Sequence, residues 1–287
     1  MKRFFSILAL FGLIISFVTC VSQDARNDSA AETLPDLWIF AVGVNRYENL
    51  YSNAGLRYAI INIREIVNSF TVREGKVFGK IHKFIISNNG DAMPSYKNII
   101  ENLGFLGQAK PDDVVLFFYS GHGEINDDGI FCLLPSDAGF VKNGGADFSN
   151  AIPMSVIKTY LDIPSRKIIV LDSCYSGAAI RTLASPNTTI FASSREDEQS
   201  LEGGRALRSI FSFSFAEGLS GKAAKNGVIN VESMERFTSG MVPQLSREII
   251  ERKRSQAEYA RNIIIPNEQH PVVYIPDGMK GFVLGKM

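Results

Sequence analysis

Two short segments of this chain carry reactive side chains in a setting that favours their use. Tyr119-Ser120-Gly121-His122-Gly123 ends the apolar run Asp113–Tyr119 (DVVLFFY), and Asp172-Ser173-Cys174-Tyr175-Ser176-Gly177 follows Lys167–Leu171 (KIIVL). A thiol becomes a potent nucleophile when a base within hydrogen-bonding reach takes its proton, and histidine titrates near neutrality. The glycines flanking His122 let the backbone turn sharply and a substrate come close. If the two segments lie side by side, the backbone N–H groups of Cys174 and Gly123 can hold a developing oxyanion, a contribution of about 2.7–4 kcal/mol per donor. The chain has three histidines and three cysteines. One of each at consecutive strand ends argues for His122 and Cys174 as a catalytic pair, against a structural histidine and an inert thiol. Cys132, inside the apolar run Ile130–Leu134, reads as a small buried thiol.

The elements that would position this pair are legible from periodicity. Leu37–Val44, Asp113–Tyr119 and Lys167–Leu171 are apolar runs of strand length, the mark of strands covered on both faces, and Ile81–Ile86 and Thr188–Ala192 read as further strands. Ile130–Leu134 reads as a short strand pairing near Asp113–Tyr119. Between the strands, helical spacing predicts helices over Gly55–Phe70, from Pro94 through about Leu106, over Pro153–Leu161 and from Ala178 through Leu183. Further helices are expected around Phe211–Leu219 and Val231–Glu251. The expected fold is therefore α/β, a mostly parallel central sheet with helices on both faces. In such sheets the working residues sit just past the carboxyl ends of the strands, where His122 and Cys174 stand.

Composition excludes some functions. Thirty basic residues balance thirty acidic ones, so nothing points to nucleic acid as a partner. The stretch Arg247–Arg254 is interrupted by Glu248 and Glu251 and reads as a solvated helix face. Three cysteines cannot build a disulfide framework. At the N-terminus, Lys2 and Arg3 precede the uncharged run Phe4–Val18, which is short for a membrane span and suits the core of a signal peptide. Residues 1–20 are read as a signal peptide, 21–36 as a flexible linker, and 37–287 as one domain. Cys20, directly after the apolar core, resembles the lipidated first residue of a bacterial lipoprotein. Cleavage after Ser22 with release of a free protein is the alternative. Either way the protein is expected to be exported, to the periplasm or cell surface; in the first case a lipid anchor at Cys20 is its one expected link to a membrane.

YSGHG and DSCYSG, with His122 standing 52 residues before Cys174, resemble the caspase-like cysteine peptidases of family C14, most closely the bacterial metacaspases. The resemblance runs from Leu37 to the C-terminus and includes Ala41–Asn45, Leu56–Ala59, Leu133–Asp137 (LLPSD) and Gln269–Pro271. It implies a caspase-like fold and an endopeptidase for peptide or protein substrates, with Cys174 attacking the peptide carbonyl and His122 protonating the leaving amine. It also implies that Asp172, Ser120 and Asp137 face the pocket for the residue before the scissile bond and favour Arg or Lys there. Asn62 stands where metacaspases usually carry an aspartate, which removes one negative charge. No cofactor is implied. Asp127, Asp128 and Asp137 are candidates for calcium, but the six to eight oxygens that Ca²⁺ takes cannot be assembled from the sequence.

Caspase-like enzymes are commonly cut in the linker after the second catalytic segment. Here Ser194–Ser209 is polar and glycine-containing, reads as an exposed loop, and offers Arg205 and Arg208 as self-processing sites. Arg195 is disfavoured by the acids that follow it. A catalytically idle caspase-like binding module is the competing reading, and the presence of both His122 and Cys174 argues against it. A flavodoxin-like nucleotide-binding domain would need a glycine-rich phosphate loop after the first strand, and Val42-Gly43-Val44-Asn45-Arg46 provides none.

Overall fold

The computed structural model describes residues 33–48, 55–140, 146–203, 206–257 and 264–287; the signal-peptide region with Cys20, most of the linker, and Arg205 lie outside them. Six strands form the central sheet: β1 (Leu37–Gly43), β2 (Ile81–Ser87), β3 (Val114–Ser120), β4 (Arg166–Asp172), β5 (Thr188–Ala192) and β6 (Val272–Tyr274). Their spatial order is β6-β5-β4-β3-β1-β2, parallel throughout except that β6 runs antiparallel to β5. The helices are α1 (Ala59–Thr71), α2 (Tyr96–Asn102), α3 (Met154–Leu161), α4 (Ile180–Leu183), α5 (Ile210–Glu217) and α6 (Val231–Ala257). This is the α/β architecture expected, a mostly parallel sheet covered by helices on both faces.

Side-chain alternation divides the sheet between two cores. Leu116 and Phe118 of β3 and Ile168 and Val170 of β4 point to one face, where α1, α5 and α6 cover them with Ile63, Phe70, Phe211, Phe215, Met234 and Leu245. Val115, Phe117 and Tyr119 of β3 and Ile169 and Leu171 of β4 point to the other, under α2 and α3 with Ile99, Met154 and Ile157. The starting ends of β1 and β3 are tied by the buried Asp113. Its carboxylate accepts from the Trp38 indole at 3.0 Å, from the Lys110 amide at 2.8 Å and from the Asp36 amide at 3.2 Å. Register follows, with Leu37 opposite Val114 and Gly43 opposite Ser120.

Two expectations are corrected, and one strand is added. The apolar run at Ile130–Leu134 forms strand Phe131–Leu133, but in a separate antiparallel sheet with Gly123–Ile125 and Ile152–Pro153. Its cysteine, Cys132, is buried there and its thiol is pushed up to about 11 by burial. The edge strand β6 was not anticipated. Ser194–Ser209 is no open loop: Glu202–Gly203 and Arg208–Ser209 pair as a hairpin, and Ser193, Ser194 and Ser209 are buried. Among the described residues no helix is long and apolar enough to cross a membrane.

Phe118 is fully buried where α1 and α5 meet the sheet. Phe118→Ala should lower unfolding free energy by about 3–5 kcal/mol, the usual range for a buried phenylalanine. Urea denaturation checks it, and a loss below about 1 kcal/mol, the typical cost of an average substitution, would contradict this packing.

Candidate active site

Both reactive loops leave the sheet from paired positions. Ser120, the last residue of β3, is registered with Asp172, the last of β4, and the Gly121 amide donates across the junction to the Asp172 carbonyl at 3.3 Å. His122 and Cys174 each stand two residues beyond this pair, so parallel pairing carries both to the same rim of the sheet.

The backbone of His122 is held from both sides by buried phenols. Its N–H donates to Tyr47 Oη at 2.6 Å, and its carbonyl accepts from Tyr119 Oη at 2.7 Å and from the Leu134 amide at 3.0 Å. The Tyr47 and imidazole ring centroids are 4.8 Å apart. Burial raises both phenols well above the usual tyrosine range, so they stay neutral. Gly121 allows this clamp, because a Cβ there would collide with the Tyr119 and Tyr47 hydroxyl ends. Gly123 is equally confined: a Cβ would lie 2.7 Å from the Phe131 ring and 2.7 Å from Ser173 Oγ.

Cys174 sits in a loop stapled to the end of β5. The Ser173 amide donates to Ser193 Oγ at 3.1 Å, the Ser173 carbonyl accepts from the hydroxyls of Ser193 and Ser194, and the Gly177 amide donates to the Ser194 carbonyl at 2.9 Å. Tyr175 takes the left-handed conformation with φ 60°, its amide donating to the Glu198 carbonyl at 2.8 Å. The sulfur accepts from the Ser200 amide at 3.4 Å. Burial pushes the thiol up, with the charge of Glu124 and then Asp172 adding to it, while the Ser200 N–H and the cysteine's own N–H pull the other way. The thiol therefore rests protonated and needs a base to become a nucleophile. For the two oxyanion candidates, the Cys174 N–H lies beside its own sulfur, and Gly123 opens the short strand paired with Phe131–Leu133.

Asp172 is the centre of a polar cluster beneath this rim. Only 4% exposed, it accepts at one carboxylate oxygen from Ser209 Oγ at 2.8 Å and Ser200 Oγ at 3.1 Å, and at the other from Ser212 Oγ and from Asn62 Nδ2 at 3.4 Å. Burial raises its pKa, and the hydroxyls of Ser209, Ser212 and Ser200 offset part of that rise. Ser120 joins through Asn62 Nδ2, which donates to Ser120 Oγ at 3.0 Å. Asn62 is fully buried and bridges two of the expected site residues.

Asp137 is not brought into this cluster. Its carboxylate accepts from the Tyr96 amide at 2.7 Å, capping the start of α2 beside Ser95, and its carbonyl accepts from Asn150. Short acidic side chains compete for helix N-termini, and Asp137 is used that way here. Among the described residues no group of three or more His, Cys, Asp or Glu side chains is gathered as a metal would require; Asp127 and Asp128 lie in an exposed turn capped by Asn126. Arg208 is also differently placed. It pairs with Glu65 at 3.5 Å, stacks over Phe213 with its guanidinium carbon 5.5 Å from the ring centroid, and is followed by Ser209 on Asp172. A protease cutting after Arg208 would first have to open the hairpin.

Several site residues escaped the sequence reading: Tyr47, Ser200, Glu202, Ser209 and Ser212. A signal for two of them existed. Ser209 and Ser212 lie three apart in SIFSFSFA, a segment apolar but for its three serines, a spacing that puts both hydroxyls on one face and implies a buried acceptor opposite. Glu202 carries no such signal; it reaches the site only because the hairpin pairs it with Ser209. Gln269, noted as part of a resembling motif, ties the wall together: its side chain bonds the Leu201 amide at 2.7 Å, the Ser193 carbonyl at 2.7 Å and Ser200 Oγ at 3.2 Å.

A search of curated proteins found no match. The family model for the caspase domain, peptidase family C14, matches residues 40–272, a span that takes in both reactive loops, the Asp172 cluster and all but the ends of the central sheet. The chain belongs to the caspase-domain family of cysteine peptidases.

Proposed function

We propose that the protein is an endopeptidase working through a His122–Cys174 dyad, with Arg or Lys preferred before the scissile bond. The observation that carries the reading is the registered pair Ser120–Asp172, from which both reactive loops spring. His122 takes the thiol proton, and the Cys174 thiolate attacks the carbonyl carbon. The tetrahedral intermediate collapses to a thioester as the imidazolium gives its proton to the leaving amine. Water, deprotonated by His122, then attacks the thioester and restores the thiol. Backbone N–H groups of Cys174 and Gly123 are the proposed oxyanion donors. The raised thiol pKa gives the base a defined task, since little thiolate exists at neutral pH without it. A buried acid two residues before the nucleophile supports the basic preference.

Cys174→Ala and His122→Ala should each abolish turnover of arginine-ended fluorogenic peptides while leaving the far-UV dichroism and the unfolding midpoint close to wild type. Full activity in a folded Cys174→Ala protein would remove the mechanism.

Tyr47→Phe takes away the acceptor of the His122 N–H. Its kcat should fall by up to roughly a hundredfold, the cost of a misplacement near 1 Å, with KM little changed. An unchanged kcat would show that the imidazole is held by other means.

Export and tethering through Cys20 belong to the same proposal. Cells fed a radioactive fatty acid should label the wild-type protein and not Cys20→Ser. Equal labelling of both, or of neither, would leave a freely released protein.

A further inference from the structure

The four donors around Asp172 raise a difficulty for a direct role in substrate binding. A carboxylate offers about four lone-pair sites, and Ser200, Ser209, Ser212 and Asn62 supply four donors to this one. An arriving guanidinium or ammonium group would have to displace one of them. Two other acceptors lie beside the cluster. Asn62 Oδ1 is buried with no hydrogen-bond partner. Its orientation is dictated by chemistry: turning the amide over would aim an oxygen at the Asp172 carboxylate and forfeit the Nδ2 bond. A buried acceptor left in this condition calls for an explanation, and a donor-rich ligand is one.

The second acceptor is Glu202. Along the extended segment from Ser200, alternate residues face alike. Leu201 points into the core, whereas Ser200 faces Asp172 and Cys174. Glu202 therefore shares the face of Ser200, and across the hairpin it pairs with Ser209, itself bonded to Asp172. Half-buried, Glu202 accepts from the Arg57 amide at 3.4 Å. Its charge is felt by Asp172 on one side and on the other by Tyr47, whose ring lies against His122.

We propose that Glu202, with Asn62 Oδ1 as a second acceptor, receives the basic side chain of the residue before the scissile bond, and that Asp172 positions the cluster without binding that side chain directly. This rests on the reading of the chain as a peptidase for basic residues, and it makes that selectivity depend on pH. Burial holds the Glu202 carboxyl up at about 7; the Arg57 and Tyr58 amides and the Arg57 charge lower it, and the Asp172 charge raises it. Arg208, on the partner strand, is engaged by Glu65. Glu202 thus goes from neutral to charged as pH rises through about 7, and attraction for a cation strengthens in that direction.

The test compares kcat/KM for two fluorogenic peptides differing only in the last residue, Arg against the neutral Gln, from about pH 5.5 to about pH 8.5. Taking the ratio cancels the titration of His122 and Cys174, common to both substrates. In wild type the Arg/Gln ratio should climb by roughly tenfold or more, the size of a hydrogen bond to a charged group, with its midpoint near neutrality. Glu202→Gln should lower the ratio by that factor at high pH and flatten it, and Glu202→Asp should keep a step. Calorimetric binding of the same peptides to the Cys174→Ala protein reads the same ratio without turnover. A Glu202→Gln protein with the wild-type ratio and step, or a wild-type ratio flat with pH, overturns the assignment of Glu202. A wild-type enzyme that prefers Gln or Asp over Arg overturns the basic-residue reading beneath it.

Discussion

Because side chains alternate along a strand, a slip of one residue between β3 and β4 would do two kinds of damage. It would move one reactive loop about 3.3 Å along the other, and it would turn every side chain of the slipped strand to the opposite face. The second effect protects against the first. Leu116 and Phe118 are fully buried on one face and Val115, Phe117 and Tyr119 on the other, so no alternative register leaves the two cores differing only in shape. The aromatic side chains on both faces make a shift costly, and Asp113 fixes the starting end through Trp38 and the Asp36 amide. The exit of both reactive loops from one rim of the sheet is in this sense a by-product of packing: the core sets the Ser120–Asp172 pairing, and the loops inherit it.

The loops then need stiffening of their own, and different means are used. His122 is held by hydroxyls of large buried rings, Tyr47 and Tyr119, acting on its backbone. The Cys174 loop is held by small hydroxyls, those of Ser193, Ser194 and Ser176, which fit where the chain passes closely over the end of β5. A Cβ on Gly177 would lie 2.9 Å from the Ser194 carbonyl oxygen, which shows how close that passage is. The hydrogen bonds that hold His122 and Ser173 fall on their backbone atoms, and the Tyr47 ring additionally lies against the imidazole.

How much of this was legible in the sequence follows from the length and character of each signal. Strands β1, β3, β4 and β5 carry apolar runs buried on both faces, and such runs announce themselves; β2, at the sheet edge, interrupts its run with His82 and Lys83 but keeps enough apolar residues to be read as a strand. Strand β6, three half-buried residues between prolines, carries no such pattern. The hairpin at 202–209 reads as a loop in the sequence because glycine and charged residues dominate it and each strand is two residues long. Its order comes from tertiary partners: Gln269 on the Leu201 amide and Asp172 on Ser209. Asp137 was misplaced for a related reason. An acid after a short strand can face a pocket or cap a helix, and the choice depends on the N-terminus of α2, which precedes it in the chain by about forty residues and meets it only in the fold.

The acidic cluster also sets a limit on how the site and the fold can be stable together. Asp172 and Glu202 both have pKa values raised by burial. For such groups the folded state binds protons more tightly than the unfolded chain, so their contribution to stability is complete below the unfolded pKa and is lost as pH rises through the folded one. For Glu202 that window runs from the ordinary 4.5 to about 7. The pH range in which the site gains its full negative charge is therefore the range in which it weighs most against the fold. A cation received by Glu202 and Asn62 Oδ1, as proposed above, would reverse the sign locally, favouring the charged carboxylates and lowering their pKa values. Under the proposed reading, the cluster carries its charge at less cost to the fold with a basic side chain in place than without one, which links ligand binding to stability in the neutral pH range.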